Sequence, residues 1–220
     1  SLDVIFNPEK QIGKVHWGML MTGKYIVGII GSYRKDGYID STVNELLSAA
    51  RDRGAETDRI FLLDQHIEFC TNCRTCMQEP GPERGKCILR DDMDSILKKI
   101  GGADAIVIGA PVNCGDVNAL TRKFFERCVG YAAYWPWGTK IPKMRKRKRT
   151  KKAVLVSSSA APGWYSRIFT PAMGSLKKMA KLLGAKPVGT LFLGFVNQEE
   201  VRLSDKIRHK ARCLGRELAA

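Results

Sequence analysis

Tyr25-Ile26-Val27-Gly28-Ile29-Ile30-Gly31-Ser32-Tyr33-Arg34 is the stretch on which the fold turns. Its first six residues are apolar or small without alternation, as in a strand buried on both faces. The run then breaks at Gly31 into hydroxyl-bearing and basic residues. Downstream, Thr42 and Glu45 have the spacing of a capping box, and Val43, Leu46, Leu47 and Ala50 follow at helical intervals until Gly54. One buried strand followed by one amphipathic helix is the first half of a parallel βαβ unit.

The pattern repeats along the chain. Residues 56–63 read as a second strand. Asp91 and Asp92 open a helix with Met93, Ile96, Leu97 and Ile100 inward, stopped by Gly101-Gly102. Ala105–Gly109 is a third buried strand ended by Pro111, and Asp116 is expected to cap a helix through Phe124 and Cys128. Ala153–Val156 is the fourth strand. A helix from Arg167 to Leu183 carries Pro171 in its first turn. Pro187–Leu193 is the fifth strand, and a last helix puts Ile207, Ala211, Leu214 and Leu218 on one face. Uniformly apolar strands alternating with helices predict an α/β fold, a five-stranded parallel sheet covered on both faces. An aromatic and basic excursion at 131–152 precedes strand four. In such folds ligands bind beyond the carboxyl ends of the strands. The unusual segments Gly31–Thr42, Glu68–Cys87, Pro111–Val117 and Ser157–Gly163 all follow predicted strands.

Composition agrees. A chain of 220 residues can bury a full core without disulfides. Hydrophobic content of 44% and charge of 27% exclude wholesale disorder. No apolar run approaches the roughly 20 residues of a membrane helix. Asp3, Glu9, Lys10 and Lys14 interrupt any signal-peptide core. Residues 1–22 read as an N-terminal extension of a domain spanning 23–220, processed or added, because Ser1 precedes Met19 and Met21. Seven cysteines without a secretion signal point to a reducing cytoplasm, where clustered thiols are metal ligands or redox groups more often than disulfides.

The net charge of +15 is mostly local. Nine basic residues crowd between Lys140 and Lys152, and the remaining 28 basic and 22 acidic residues leave only +6. A run of this kind is a solvated loop, or grips nucleic acid, anionic lipid or an acidic protein. Tyr131, Tyr134, Trp135 and Trp137 beside it read as a subunit interface, a lid over a ligand or a membrane-surface contact.

Three strand-end loops carry candidate binding chemistry. In the first, Ser32, Ser41 and Thr42 offer hydroxyls, Arg34 a cationic fork, and the next helix its N-terminal amides, a set suited to a phosphate. Its glycines lack both the dinucleotide G-x-G-x-x-G and the Walker spacing. In the second, Pro111-Val112-Asn113-Cys114-Gly115-Asp116-Val117 can present backbone groups to a flat aromatic ligand. The third, Ser157-Ser158-Ser159-Ala160-Ala161-Pro162-Gly163, is small enough for close approach. A fourth loop, 68–90, holds Cys70-x2-Cys73-x2-Cys76 and, ten residues on, Cys87. Four thiolates in one loop can ligate a 4Fe–4S cluster or zinc, or stand as reduced thiols or a disulfide; the compact triple favours the cluster. Cys128 and Cys213 read as core positions. Cys114 reads as space-filling, and no histidine is assigned to catalysis.

These segments together resemble the flavodoxin-like family of NAD(P)H-dependent FMN reductases, and more closely its iron–sulfur flavoprotein branch. Gly31-Ser-Tyr-Arg with Ser41-Thr42 carries the resemblance, with Gly85-Lys-Cys87-Ile-Leu-Arg-Asp91-Asp92-Met93 and Ala103-Asp-Ala-Ile-Val-Ile-Gly-Ala-Pro-Val112, over about Lys24 to Leu193. The resemblance implies FMN, with its phosphate on Ser32, Arg34, Ser41 and Thr42. Pro111, Val112, Asn113, Cys114, Gly115 and Val117 would meet the isoalloxazine, and the segment Ser158 to Gly163 its other side. It also implies that 77–86 is an insertion ahead of the fourth cysteine. Electrons would come from NAD(P)H as co-substrate, or through the cluster on Cys70, Cys73, Cys76 and Cys87 from an acidic ferredoxin-like protein. They would pass to a quinone, flavin or other small acceptor, in a homodimer or homotetramer. The rival reading is a zinc-stapled α/β domain that binds nucleic acid through its basic run.

Overall fold

The computed structural model describes residues 23–145, 150–197 and 200–220. Five strands form one parallel sheet: β1 (Tyr25–Ile30), β2 (Glu56–Phe61), β3 (Ala105–Asn113), β7 (Lys151–Ser158) and β8 (Ala185–Leu193). Their order is β2-β1-β3-β7-β8. Counting only these five, that is the 2-1-3-4-5 order of doubly wound sheets, whose direction of winding reverses between β1 and β3.

The helices are α1 (Tyr38–Arg51), α2 (Met93–Gly102), α3 (Ala119–Arg127), a single turn α4 (Val129–Ala132), α5 (Gly163–Phe169), α6 (Ala172–Leu182) and α7 (Asp205–Ala219). Strand β4 (Asp116–Val117) folds back antiparallel on β3, and β5 (Ala133–Tyr134) pairs antiparallel with β6 (Lys143–Met144).

Two cores follow from the strand period of two. Val27 and Ile29 of β1 face Met93, Ile96, Phe124, Leu176 and Met179 from α2, α3 and α6. Ile26 and Ile30 face Val43, Leu46, Leu47, Ala211 and Leu218 from α1 and α7. The central strands are buried on both sides as their apolar runs require. The edge strands β2 and β8 expose part of one row, so the expected uniformity holds only in the middle.

Several boundaries differ from the sequence-based expectations. Helix α1 starts at Tyr38 with Gly37 as N-cap, not at Thr42, whose buried hydroxyl bonds the Tyr38 carbonyl at 2.7 Å inside the helix. Strand β3 does not end at Pro111. Pro111 pairs with Ser158, beyond the point where β1 has stopped, so its missing N–H breaks no ladder on that side. The strand turns at Cys114 and Gly115, both at positive φ, into β4. Asp116 is therefore a hairpin residue and Asn118 is the cap of α3. The helix expected over 167–183 is two, α5 and α6, because Pro171 cannot continue the first and instead starts the second. Cys128 is core, but Cys213 is exposed, 3.5 Å from His209 Nε2. Residues 1–22 and Lys146–Arg149 of the basic run lie outside the described residues.

Candidate functional site

The switch point between β1 and β3 opens into a cleft of about 230 Å³ lined by Ser32, Arg34, Gly37, Pro111, Asn113 and Ser158, with Val196 on its far wall. Its floor is fixed by the first loop. Gly31 donates to the Gly109 carbonyl at 2.8 Å, and its own carbonyl accepts Asn118 Nδ2 at 2.8 Å and Thr121 Oγ1 at 3.2 Å. A Cβ on Gly31 would lie 2.0 Å from Thr121 Oγ1, so only glycine fits between the strand end and α3. Asn118 meanwhile accepts from the Thr121 amide at 3.0 Å, capping α3, while the Leu120 amide donates to the Tyr33 hydroxyl at 3.2 Å.

Ser32 folds the loop rather than pointing away from it. Its hydroxyl donates to the Arg34 carbonyl and accepts from the Arg34 amide, both at 3.1 Å. That turn brings Arg34 to the mouth of α1. No side chain caps α1 at Gly37. The first-turn amides of a helix have no intrahelical acceptor, and the macrodipole adds a partial positive charge there. Asp40 sits in that turn, yet it is engaged by the Arg59 guanidinium at 2.9 Å and by the Asp36 amide at 2.8 Å. An anion is the ligand this corner can take.

The structure thus brings together Ser32, Arg34, Pro111, Asn113 and Ser158. It adds Tyr33, Gly37, Tyr38, Ile39 and Val196, which the sequence reading missed. It separates Ser41, whose surroundings are Asn44, Glu45 and Arg208 beside α7. Thr42 is buried inside α1, and Val117 belongs to the core. Val112 packs partly against that core, Cys114 and Gly115 form an exposed hairpin tip, and Gly163 lies against Gly194. Cys114 fills no space, contrary to expectation, because the turn points it outward. Asp116 anchors this hairpin, accepting from Arg122 at 2.6 Å and Ser175 at 3.1 Å.

The cysteine loop is held by two buried arginines. Arg127 donates to the Glu68 carbonyl at 2.7 Å and to both carboxylate oxygens of Asp91, and reaches Cys87 Sγ at 3.6 Å. Burial alone would raise the Asp91 carboxyl, but hydrogen bonds from Arg127 and the Glu68 and Met93 amides hold it below its usual range. Arg145, from the basic run, is only 5% exposed. It donates to the carbonyls of Gly130 (3.0 Å), Glu79 (3.1 Å), Gly81 (2.9 Å) and Cys76 (3.4 Å). The aromatic excursion completes the clasp. Trp135 and Trp137 stack on the Arg74 guanidinium, 3.7 and 4.2 Å from their ring centres, and the Trp135 amide donates to the Met77 carbonyl at 2.6 Å. These aromatics cover the cysteine loop and not the strand-end cleft.

Cys76 and Cys87 line one cleft of about 700 Å³, backed by Arg127, Gly130 and Tyr131. Burial and then the charges of Cys87, Cys70 and Cys73 push the Cys76 thiol up. Hydrogen bonds from the Thr75 hydroxyl, the Thr75 amide and the Thr71 hydroxyl pull the Cys73 thiol down. A Cβ on Gly85 would stand 1.7 Å from the Cys76 carbonyl oxygen, and one on Gly130 2.8 Å from Cys76 Sγ. Among the described residues, no three Cys, His, Asp or Glu side chains stand converged as a metal centre. The donor set nevertheless fits a soft metal group: four free cysteines, one with hydroxyl and amide donors aimed at its sulfur and one beside a guanidinium.

The description "NADPH-dependent FMN reductase" belongs to a family that matches residues 25–200. The chain belongs to this family of FMN reductases. Its curated relatives include an iron–sulfur flavoprotein of Methanocaldococcus jannaschii, 39% identical over 102 residues that cover 46% of this chain and 50% of the relative. Another, from Methanosarcina thermophila, is 35% identical over 47% of this chain and 52% of its own length. The chain therefore spans about half the length of the curated relatives it matches. Among solved structures, a flavone reductase aligns at a TM-score of 0.63 and 20% identity, covering 89% of this chain and 62% of that one. An NAD(P)H:quinone oxidoreductase from Methanothermobacter marburgensis aligns at 0.60 and 18%, covering 89% and 97%. A flavodoxin from the domain Archaea aligns at 0.51 and 12%, covering 89% and 96%. These likenesses show a flavodoxin-like fold. No helix among the described residues is long and apolar enough to cross a membrane.

Proposed function

We propose that this protein is an oxidoreductase that binds FMN in the β1/β3 cleft and an iron–sulfur cluster in the cysteine loop. It would move electrons between a reductant, NAD(P)H or a ferredoxin-like protein, and a small acceptor such as a quinone or flavin. The observation that carries the reading is the uncapped amino end of α1 at the switch point, with Arg34 turned to it by Ser32. A phosphate there would take the first-turn amides, the guanidinium and the dipole together. Bound FMN supplies hydride acceptance and single-electron release, and a cluster would supply a one-electron relay.

The chain's own groups do the rest. Asn118 and Thr121 hold the Gly31 carbonyl and so keep the loop open. Pro111, Asn113, Ser158 and Val196 would border the isoalloxazine at close range. Ser41, Thr42 and Val117 fall out of the proposed set for the reasons of geometry given above. Cys70, Cys73, Cys76 and Cys87 would ligate the cluster, with the threonine donors directed at the Cys73 sulfur and Arg127 at that of Cys87. Exposed Trp164, Tyr165, Ile168 and Phe169 on α5 support assembly of copies as a homodimer or homotetramer.

Zinc with nucleic acid is the weaker reading. Of the basic run, Arg145 is buried. Lys151 Nζ donates to the Gly101 and Ala103 carbonyls, and Lys152 Nζ to that of Glu217. They are fastened to the fold instead of presented to a polyanion.

The test is an absorption spectrum of anaerobically purified protein, before and after dithionite. Flavin bands near 375 and 450 nm on a broad shoulder near 400 nm, all bleaching, are expected. Protein that stays colourless with saturating FMN overturns the flavoprotein reading. NADPH oxidation followed at 340 nm separates the two electron donors.

A further inference from the structure

We infer that Arg127 is a positioning residue for the redox group of the cysteine loop, holding the Cys87 thiolate by a hydrogen bond and so raising the reduction potential of the cluster. The inference rests on the proposed cluster and concerns a residue outside its ligand set. Arg127 lies in the last turn of α3 and is 6% exposed. Its fork closes on Asp91, which also accepts the Glu68 amide at 2.9 Å and the Met93 amide at 3.2 Å. Glu68 precedes Cys70 by two residues and Asp91 follows Cys87 by four, so one ion pair shuts the neck of the loop. A strut would need only that much. The guanidinium does more: Nη2, already on Asp91, stands 3.6 Å from Cys87 Sγ. A planar fork can serve a carboxylate on one side and a sulfur on the other, whereas an ammonium is a point charge without fixed directions. Hydrogen bonds to cluster sulfurs stabilise the more negative reduced state and raise the potential. The Arg127 side chain is itself almost wholly buried, at a wall of the cleft that Cys87 also lines.

The test compares the full chain with Arg127→Lys and with the double variant Arg127→Gln/Asp91→Asn, reconstituted anaerobically with iron, sulfide and FMN. The double variant leaves no buried charge unpaired. Three quantities are read: iron and sulfide per chain, the cluster and flavin midpoints in one redox titration, and amide exchange at Gly85. The expected result is a cluster midpoint moved to more negative values in both variants, with the flavin midpoint unmoved. Loss of iron with the Gly85 amide still protected also supports the inference, since the loop then stands but its sulfur is misplaced. Full iron with an unmoved cluster midpoint overturns it, leaving Arg127 a strut. So does loss of iron together with loss of that protection. A wild-type chain that assembles no cluster refutes the proposed function, independently of either variant.

Discussion

Arg145→Ala tests whether the basic run exists to fasten the cysteine loop. The wild-type guanidinium joins four carbonyls, three from the cysteine loop and one from Gly130, at 2.9 to 3.4 Å. Hydrogen bonds from a charged donor contribute about 1.5–3 kcal/mol each, but carbonyls that regain water on truncation lose less. Glu79 is exposed and recovers water; Gly81 and Cys76 are half-buried, and Gly130 is buried. Counting Gly130 in full and the two half-buried carbonyls together as one, each near the lower figure, the loop loses about 3 kcal/mol of local stability. At 1.4 kcal/mol per tenfold, that is about a hundredfold increase in local opening. Native-state hydrogen exchange reads it directly. Two amides report the clasp, Gly85 donating to Gly130 at 3.0 Å and Trp135 donating to Met77. Both should exchange about a hundredfold faster in the variant, while β1 and β3 amides keep their protection. Unchanged exchange at Gly85 and Trp135 would refute the clasp, and equal acceleration through the sheet would mean that Arg145 supports the whole fold.

Gly31→Ala should cost about 1–3 kcal/mol by overpacking against Thr121, lowering the urea midpoint, and should weaken FMN binding in a fluorescence titration. Asn118→Ala removes a cap and the hydrogen bond to Gly31; a loss of about 1–2 kcal/mol is expected on chemical denaturation, with weaker FMN binding again. The lowered Asp91 carboxyl contributes stability in full above the unfolded carboxylate range near pH 4, and the contribution fades as pH falls through its depressed value. The stability gap between wild type and Asp91→Asn should therefore shrink on acidification, as seen in urea melts at pH 6, 4 and 3. At the alkaline end, burial and then Asp58 push the Tyr25 hydroxyl up to about 12. Its stabilisation is complete below the ordinary tyrosine value near 10 and is lost as pH rises toward 12, so Tyr25→Phe should flatten that part of the pH–stability curve.

What could be read from the chain was local. The runs Tyr25–Ile30, Ala105–Gly109 and Ala153–Val156 announced buried strands because nothing polar interrupts them, and their spacing by helices left little freedom in topology. The cleft was legible as loops after strands, but not residue by residue. Thr42 and Glu45 imitate a capping box, yet the helix begins four residues earlier, and that shift turns Thr42 into the core and Ser41 toward α7. Asp116 imitates a cap, yet the tight turn at Cys114 and Gly115 spends it on Arg122 and Ser175. Arg127 and Arg145 gave no signal because their partners lie 15 to 69 residues away. A buried arginine looks like any other until the chain has closed on it.

That distance is also the reason the two halves of the site can coexist. A loop as long as 68–90, rich in Gly and Pro, has no helix or strand to order it beyond one short turn at Thr75–Met77. Left alone it would pay the full entropy of ordering for any metal group it bound. Arg127 from α3, Arg145 and the tryptophans beyond α4 pay that cost in advance, on folding. They draw on the same helix whose amino end, through Asn118 and Thr121, sets the Gly31 loop of the cleft. Helix α3 thus touches both the cleft and the cysteine loop, one at each end: its cap holds the Gly31 loop and its last turn holds Arg127 beside Cys87. A register error in α3 would disturb both at once, and a correctly folded α3 delivers both together.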